Sequence, residues 1–372
     1  MDNRQRVNAI MHYEKFDRMP VVAFGYWQET LEKWHKEGHV TEDEAKFYAD
    51  NNEFDLAVMK RLGFDFNWNG GVGGNSHLMP MFEEEVLRTE ADGTIVLRNS
   101  EGLIVKKKPG VVSIPAHGGT SLTGREAWEE LYLPKLTYSD ARVDAEGLKK
   151  AYEENAKTGR PQYIHIGSLY GNIRNMLGVE ELSYLQADDE HLYVEIIDTV
   201  GELNYRVAEK VLSLGFTFDY AHFWEDICFK SGPLIRPSVF SEYVGPWYKK
   251  ITELLKKHGV DIVSVDCDGL IDKLVPIWLE NGVNTMFPIE VGTWNASFDK
   301  WRHQYGRELR GVGGMDKRVF SQDYQAVDKE IERLKPLVDL GGYIPCPDHR
   351  IAPDAKWENV QYYCEKFRKV FG

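Results

Sequence analysis

The sequence has few cysteines and no long apolar run. Four cysteines (Cys228, Cys267, Cys346 and Cys364) are scattered over 372 residues. They are too few for a disulfide framework, so we expect reduced thiols that serve packing or metal binding. No run of about 18 apolar residues could span a bilayer, and the first residues lack the apolar core of a signal peptide. We therefore expect a cytoplasmic protein that does not bind a membrane.

Positive charge is also scarce. Lys and Arg number 45 against 59 Asp and Glu, which gives a net charge of −14 at pH 7. Because nucleic acids and anionic membranes are bound through Lys and Arg, neither is an expected partner. The glycine-rich segments at 70–76 and 311–317 lack the spacings of phosphate-binding loops, which argues against nucleotide binding there.

What the sequence does contain is a regular alternation of strand-like and helix-like segments. Because strand and helix alternate, the connections should be right-handed and the sheet parallel. We predict an α/β fold, specifically a (β/α)8 TIM barrel, with an open doubly wound sheet as the alternative. No linker or repeat forces a boundary, so residues 1–372 are expected to form one domain. The predicted strands are 163–168, 216–223, 261–266, 284–290, 309–316 and 341–346.

An insertion is expected in the N-terminal part of the chain. Residues 84–115 alternate apolar and polar side chains around Asp-Gly and Glu-Gly turns. This pattern is typical of antiparallel hairpins. We therefore predict a small β-meander attached to the barrel.

The predicted strands become polar at their carboxyl ends, which converge on one face of a barrel. Cys267, Glu290 and His349 follow three of them, and thiolate, carboxylate and imidazole are all zinc ligands. The three residues are therefore a candidate zinc site with an open fourth position. The alternative is a core thiol, an ion-pair partner and a helix cap. Asp266, Asp268 and Asp348 compete for the same place.

Other residues are candidates for acid-base chemistry and substrate binding. Two neighbouring carboxyl groups can serve as acid and base when burial raises one pKa, or they can form surface ion pairs. The candidate catalytic residues are Glu225, Asp226, Asp266 and Asp348. The candidate substrate-binding residues, which could equally serve packing or salt bridges, are Tyr26, Trp27, Tyr170, Arg174 and His222.

Several segments resemble the uroporphyrinogen decarboxylase superfamily in the same order along nearly the whole chain. The resemblance implies a (β/α)8 barrel with its site at the carboxyl ends of the strands, and it is compatible with a homodimer. The matching segments include NRQRVNAIMHYEKFDRMPVV, GSLYGNIRNMLGVEELSYL, DCDGLIDKLVPIWLENGVNTMFPIE and GGYIPCPDHRIAPDAKWENV.

Within this superfamily the chain departs from the decarboxylases. These enzymes carry an arginine-rich segment near the first strand, whereas this chain reads FGYWQET and has no arginine between Arg18 and Arg61. A substrate with many carboxylates needs such cations. The resemblance therefore favours the zinc methyltransferases, which exchange a methyl group with a corrinoid. Related methionine synthases carry His-x-Cys, a Glu and a late Cys, where this chain has Val265-Asp266-Cys267, Glu290 and His349.

The leading hypothesis is a zinc-dependent methyltransferase that acts on a small donor, such as an aromatic methyl ether, together with a corrinoid protein. In it, Cys267, Glu290 and His349 hold zinc, and Asp348 orients His349. Glu225 or Asp226 handles the proton. The alternatives are a metal-free decarboxylase and a ligand-binding barrel without catalytic activity.

Overall fold

The structure is a computed structural model that describes residues 1–108 and 116–372. The end of the predicted meander, residues 109–115, lies outside the described residues. The strands are β1 (Val22–Ala23), β2 (Phe66–Asn67), β3 (Glu85–Thr89), β4 (Ile95–Arg98), β5 (Leu103–Lys107), β6 (Ala116–Thr120), β7 (Tyr163–Gly167), β8 (Tyr220–Trp224), β9 (Cys228–Phe229), β10 (Gly232–Pro233), β11 (Val263–Asp266), β12 (Thr285–Ile289), β13 (Arg310–Met315) and β14 (Tyr343–Pro347).

Helices fill most of the remaining chain. The α-helices are α1 (Asn3–Met11), α2 (Gln28–Lys36), α3 (Glu42–Lys46), α4 (Glu53–Leu62), α5 (Arg125–Ala127), α6 (Leu133–Leu136), α7 (Ala145–Lys157), α8 (Tyr170–Leu177), α9 (Val179–Asp188), α10 (Glu190–Ser213), α11 (Pro237–Val239), α12 (Gly245–Lys257), α13 (Val275–Glu280), α14 (Val291–Trp294), α15 (Phe298–Tyr305), α16 (Tyr324–Asp339) and α17 (Trp357–Phe371). Within residues 1–108 and 116–372 there are also two π-helices (Trp128–Tyr132 and Phe240–Val244) and three 3-10 helices (Asp140–Arg142, Gly306–Glu308 and Lys317–Ser321).

The centre of the fold is a parallel sheet of six strands in the order β14-β13-β12-β11-β8-β7. Its strands are almost entirely buried, as expected when helices cover a parallel sheet. A second, two-stranded parallel sheet pairs β1 with β2. One isolated parallel bridge joins Tyr26 to Ile351, and another joins Val72 to Ile164. The α/β class and the parallel sheet of the sequence prediction are confirmed.

The helices are amphipathic, and they pack on the sheet through their apolar faces. In α10 the buried positions recur every three or four residues, which is the helical period. Local signals set the helix ends: the Asn52 side chain accepts from two backbone N–H groups at the start of α4, and Gly63, at φ 98°, ends it in the left-handed region. No helix among the described residues is long and apolar enough to cross a membrane.

The predicted insertion is present in part. Strands β3, β4, β5 and β6 form an antiparallel sheet in chain order. The sheet starts one residue after the predicted boundary and extends to Thr120, five residues beyond it. All five residues of β3 are exposed, whereas Val96, Leu97 and Val105 of the next two strands are buried. The meander thus packs on the rest of the chain through its inner strands.

Helix α10 and helix α12 approach closely at Gly201, and this contact can be tested. A methyl group at Gly201 would overlap the Cγ and Cδ2 atoms of the Trp247 ring, close to where the ring joins Cβ. Alanine normally favours a helix over glycine by about 1 kcal/mol. Overpacking works in the opposite direction and costs about 1–3 kcal/mol. We predict that Gly201→Ala lowers the free energy of unfolding by about 1–2 kcal/mol in urea denaturation. The control Ser213→Ala, on the exposed end of α10, should change it by less than about 0.5 kcal/mol; a stabilised Gly201→Ala variant would contradict the close packing.

Candidate active site at the carboxyl ends of the strands

A cavity of about 580 Å³ opens at the carboxyl ends of the parallel strands. Ligands of parallel α/β folds bind at this edge. Four aromatic residues and a group of acidic and imidazole side chains line it; they include Phe24, Trp27, Tyr163, Trp224, Asp50, Asp226, Asp266, Asp268, His165, His222 and His349.

The strand register arranges these side chains in layers. Because alternate residues of a strand face the same side, His222 and Trp224 of β8 both reach the cavity. His222 is paired in register with His165 on β7 and with Ser264 on β11. Trp224 is paired with Asp266, one step closer to the mouth. The histidines therefore form the floor, and the carboxylates lie above them.

Three carboxylates crowd together in the upper layer. Donor oxygens of Asp226, Asp266 and Asp268 all lie within 4.8 Å of one another. Burial, reinforced by the charge of Asp268, raises the pKa of Asp226 to about 6. Burial, together with the charges of Asp226 and Asp268, raises the pKa of Asp266. Asp226 also has a φ of 49°, a left-handed conformation that is uncommon outside glycine and often found at functional sites.

The cluster is poorly satisfied by hydrogen bonds. Asp226 accepts the backbone N–H of Asp268 at 3.1 Å. Asp268 Oδ1 is buried without a partner among the described residues. Asp266 is only 8% exposed, and no hydrogen bond within residues 1–108 and 116–372 reaches its carboxylate. Buried carboxylates without donors are costly, so this cluster must hold protons or a cation.

His349 stands beside the cluster. Its Nε2 lies 3.1 Å from Asp268 Oδ2. The imidazole stacks on Trp27, with ring centroids 5.3 Å apart, and contacts Phe24 at 5.2 Å. Trp27, which is 43% exposed, forms the outer edge of the mouth. Two aromatic rings, those of Trp27 and Phe24, thus hold the imidazole next to the carboxylates.

The predicted zinc set is not assembled. Within the described residues, Asp226, Asp266 and Asp268 are the only group of three potential ligands whose donor atoms lie within 4.8 Å of one another. Cys267 lies between two cavity-facing residues, so its side chain faces the other way, and its thiol lies against Cys228.

Glu290, the second predicted ligand, is directed at the backbone beside the cluster. It accepts the N–H of Gly269 at 2.8 Å. Burial and the charge of Asp268 raise its pKa to about 7. Two metal ligands on one strand must be two residues apart, so that their side chains face the same side. Asp266 and Asp268 meet this condition, and Cys267 lies between them.

Two further predicted residues, Glu225 and Asp348, hold backbone in place. Glu225 is fully buried and accepts backbone N–H groups of Leu169, Tyr170 and Gly171 at 2.9, 3.0 and 2.7 Å, at the start of α8. The hydroxyls of Ser168 and Tyr248 also donate to it. Burial raises its pKa, and these donors act in the opposite direction.

Asp348 has a comparable role on the other side of the cavity. It accepts the N–H groups of Gly292 in α14 and Lys317 at 2.6 and 3.2 Å. Burial raises its pKa, and these donors together with the Lys317 charge act in the opposite direction. Its carboxylate is thus bound to two backbone segments, while His349 takes Asp268 as its partner.

The predicted substrate-binding residues separate into two groups. Trp27 and His222 line the cavity. Tyr26 is buried against Trp34 and Tyr48. Tyr170 hydrogen-bonds Tyr193. Arg174 packs over Trp224 with 5.6 Å between guanidinium carbon and ring centroid, and it lines a different cavity beside the meander.

Sequence reasoning missed several residues of the cavity. Arg350 and Asp50 form an ion pair in the wall, with N–O distances of 2.6 and 3.0 Å. Arg350 directly follows His349, so the polar run at 348–350 was a signal for it. His165 lies on the predicted strand 163–168, and Trp224 directly follows the predicted strand 216–223. Because Trp224 is two residues beyond His222, strand alternation predicts that both face the same side.

The comparisons with known proteins concern the fold. No family model matches the chain, and no curated protein matches it. Among solved structures, a methyltransferase from Methanosarcina mazei has a TM-score of 0.60 at 14% identity, covering 100% of this chain and 99% of that chain. A B12-independent methionine synthase from Shewanella sp. W3-18-1, in complex with selenomethionine, has a TM-score of 0.50 at 12% identity, covering 95% and 99%. At these identities the similarity shows a shared fold alone.

The anchoring role of Glu225 can be separated from a catalytic one. Removing the carboxylate in Glu225→Ala leaves several buried donors without an acceptor, at about 1–3 kcal/mol each. We predict a loss of at least about 3 kcal/mol in the free energy of unfolding, measured in urea. The control Glu202→Ala removes an exposed partner of Lys250 and should cost less than about 1 kcal/mol. Unchanged stability of Glu225→Ala would rule out the anchor.

Proposed function

We propose that this chain is a methyltransferase that binds a divalent metal at Asp226, Asp266 and Asp268 and takes a methyl group from a small donor in the adjoining cavity. One observation carries the proposal. Three carboxylates share one cavity. The sole lining Lys or Arg among the described residues, Arg350, is already paired with Asp50. Among the described lining residues, no Lys or Arg is thus free to neutralise the cluster, and His349 hydrogen-bonds Asp268 alone of the three carboxylates.

The overall architecture that we propose is a closed eight-stranded barrel in a single domain of residues 1–372. The bridge between Tyr26 and Ile351 links one edge of the six-stranded sheet to the segment after β1. The bridge between Val72 and Ile164 links the other edge to the segment after β2. Similarity to the M. mazei methyltransferase over the whole chain supports this architecture. Closure explains why the first and last strands contribute to one cavity.

The donor set fits a divalent cation. Carboxylate oxygens bind Mg²⁺, Mn²⁺ and Zn²⁺, and imidazole is a good additional ligand for zinc. Asp226, Asp266 and Asp268 would hold the ion, with His349 adjacent, and the buried, unpartnered Oδ1 of Asp268 is available for it. When bound, a divalent ion supplies Lewis-acid polarisation of the donor's heteroatom.

The chain's own residues provide the remaining functions. Phe24, Trp27 and Trp224 give the cavity apolar walls that suit an aromatic methyl ether. In the proposed reaction the methyl carbon–oxygen bond breaks, the oxygen keeps the electron pair, and the methyl carbon bonds to the acceptor. Asp226 would be deprotonated as a metal ligand, so the departing oxygen takes its proton from the solvent that the open cavity admits.

The acceptor that we propose is a corrinoid carried by a partner protein. The resemblance to corrinoid-linked methyltransferases supports it, whereas the similar methionine synthase is described as B12-independent. A spectroscopic assay with reduced cobalamin distinguishes the two cases. Formation of methylcobalamin from an aryl methyl ether supports the corrinoid acceptor. Transfer to a thiol alone would exclude it.

The metal site gives the sharpest test, because neighbouring residues predict opposite results. We expect Asp266→Asn and Asp268→Asn each to weaken Zn²⁺ or Mn²⁺ binding at least about tenfold in calorimetric titration. The matched control Cys267→Ser, between them, should change affinity less than about twofold, because its thiol faces Cys228. Methyl transfer should fall in the two Asp variants alone. Loss of binding in Cys267→Ser with full binding in the Asp variants would reject the carboxylate site.

A decarboxylase remains the second candidate because of Asp226. A carboxyl group with a pKa of about 6 can protonate a carbanion without a metal. The surplus of carboxylates in the cavity disfavours a polyanionic substrate. Turnover of uroporphyrinogen to coproporphyrinogen by metal-free protein would favour this candidate over methyl transfer.

A further inference from the structure

The floor of the cavity carries two histidines that the proposed chemistry does not use. His165 on β7 and His222 on β8 are register partners, and their ring centroids are 6.1 Å apart. Both line the cavity. His222 is only 3% exposed. Imidazoles buried this deeply are normally fully hydrogen-bonded.

Their hydrogen bonds use one nitrogen of each ring. The backbone N–H of Gly167 donates to His165 Nδ1 at 3.1 Å, so the proton of the neutral ring is on Nε2. His222 Nδ1 shares a hydrogen bond with Ser264 Oγ at 3.1 Å. Neither Nε2 has a partner among the described residues. Two ring nitrogens on the floor are therefore available to a ligand.

The floor is uncharged, and its surroundings are acidic. Burial lowers the pKa of His165 to about 4 and that of His222 to about 3, and each ring is also affected by a neighbouring histidine. Four aspartates line the same cavity, and Arg350 is paired with one of them. An anionic ligand group would find no free cation there. A hydroxyl or a carbonyl can bond to a neutral imidazole at no such cost.

The separation of the two layers limits the ligand's size. Asp266 lies two residues beyond Ser264 on β11, and Ser264 is level with His222. At about 3.3 Å per residue, the carboxylates lie about 6–7 Å above the histidines. The cavity of about 580 Å³ is large enough for a single substituted ring that reaches from the histidines towards the carboxylates, and Tyr163 and Trp224 are among the aromatic residues that line it.

We propose that His165 and His222 form a binding site for an uncharged oxygen substituent of the substrate, a hydroxyl or carbonyl group, placed across the ring from the methyl group that is transferred. The proposal rests on the proposed function for the position of the methyl group. It assigns His165 a specificity-determining role. The histidines position the ring, and the carboxylate layer lies at the reacting end.

Three probes test the proposal: 4-methoxyphenol, 4-methoxytoluene and 4-methoxybenzoate. They share the methoxy group and differ only in the substituent opposite to it on the ring. We expect the wild-type protein to bind methoxyphenol at least about tenfold more tightly than either of the others in calorimetric titration, a difference worth about 1.4 kcal/mol. His165→Asn keeps an acceptor near Nδ1 but lacks a donor at the Nε2 position, and it should reduce the preference to less than about threefold. His165→Gln, whose amide reaches further, should restore part of it.

A surface control and the methyl-transfer assay separate the outcomes. His191→Asn, on the exposed start of α10, should keep the full preference. Equal affinity for all probes in the wild type, no binding of methoxyphenol, or an equal loss for every probe in His165→Asn would each overturn the proposal. Selective binding of methoxyphenol without methyl transfer would support the floor site and reject the proposed function. Methyl transfer without selective binding of methoxyphenol would support the proposed function and reject the binding site formed by His165 and His222.

Discussion

The arrangement of the site depends on the crowding of Asp226, Asp266 and Asp268. Two unit charges about 4 Å apart repel by about 4 kcal/mol at the effective dielectric constant of a partly buried site. The strands impose this proximity, because β8 and β11 are neighbours and both end at the same edge of the sheet. A fold that keeps three such groups together, with only Asp268 hydrogen-bonded to an imidazole, that of His349, has an energetic deficit that a bound cation can remove.

The buried carboxylates that precede the site residues explain how the crowding is maintained. Glu225 directly precedes Asp226, and five donors hold it at the start of α8. Asp348 directly precedes His349, and two backbone groups hold it. In both pairs one side chain points into the protein frame and the next reaches the cavity. The left-handed φ of Asp226 can persist because the preceding residue, Glu225, is held in place by its five hydrogen-bond donors.

Much of the fold was accessible from the sequence, because apolar runs and helix signals are local. Five of the six strands of the central sheet lie within about two residues of their predicted bounds, β8 starts four residues after its predicted start, and the polar strand ends do form the cavity. Which polar side chain faces inward was harder to predict. Thiol chemistry makes Cys267 a candidate zinc ligand. Because Asp266 and Asp268 face the cavity, strand alternation directs the side chain of Cys267 away from it. The anchors Glu225 and Asp348 could not be recognised, because their partners are distant backbone groups.

The change in donor set also bears on the chemistry. The sequence resemblance predicts a thiol ligand at Cys267, whereas the pair that lines the cavity is Asp266 and Asp268, so the donors present are oxygen atoms. Oxygen donors favour harder cations, and harder cations polarise oxygen-containing ligands more effectively than thioethers. A floor of neutral histidines below this cluster suits a donor that presents oxygen at both ends. Under the proposed function, the carboxylates at one end of the cavity and the histidines at the other both favour a substrate with oxygen substituents.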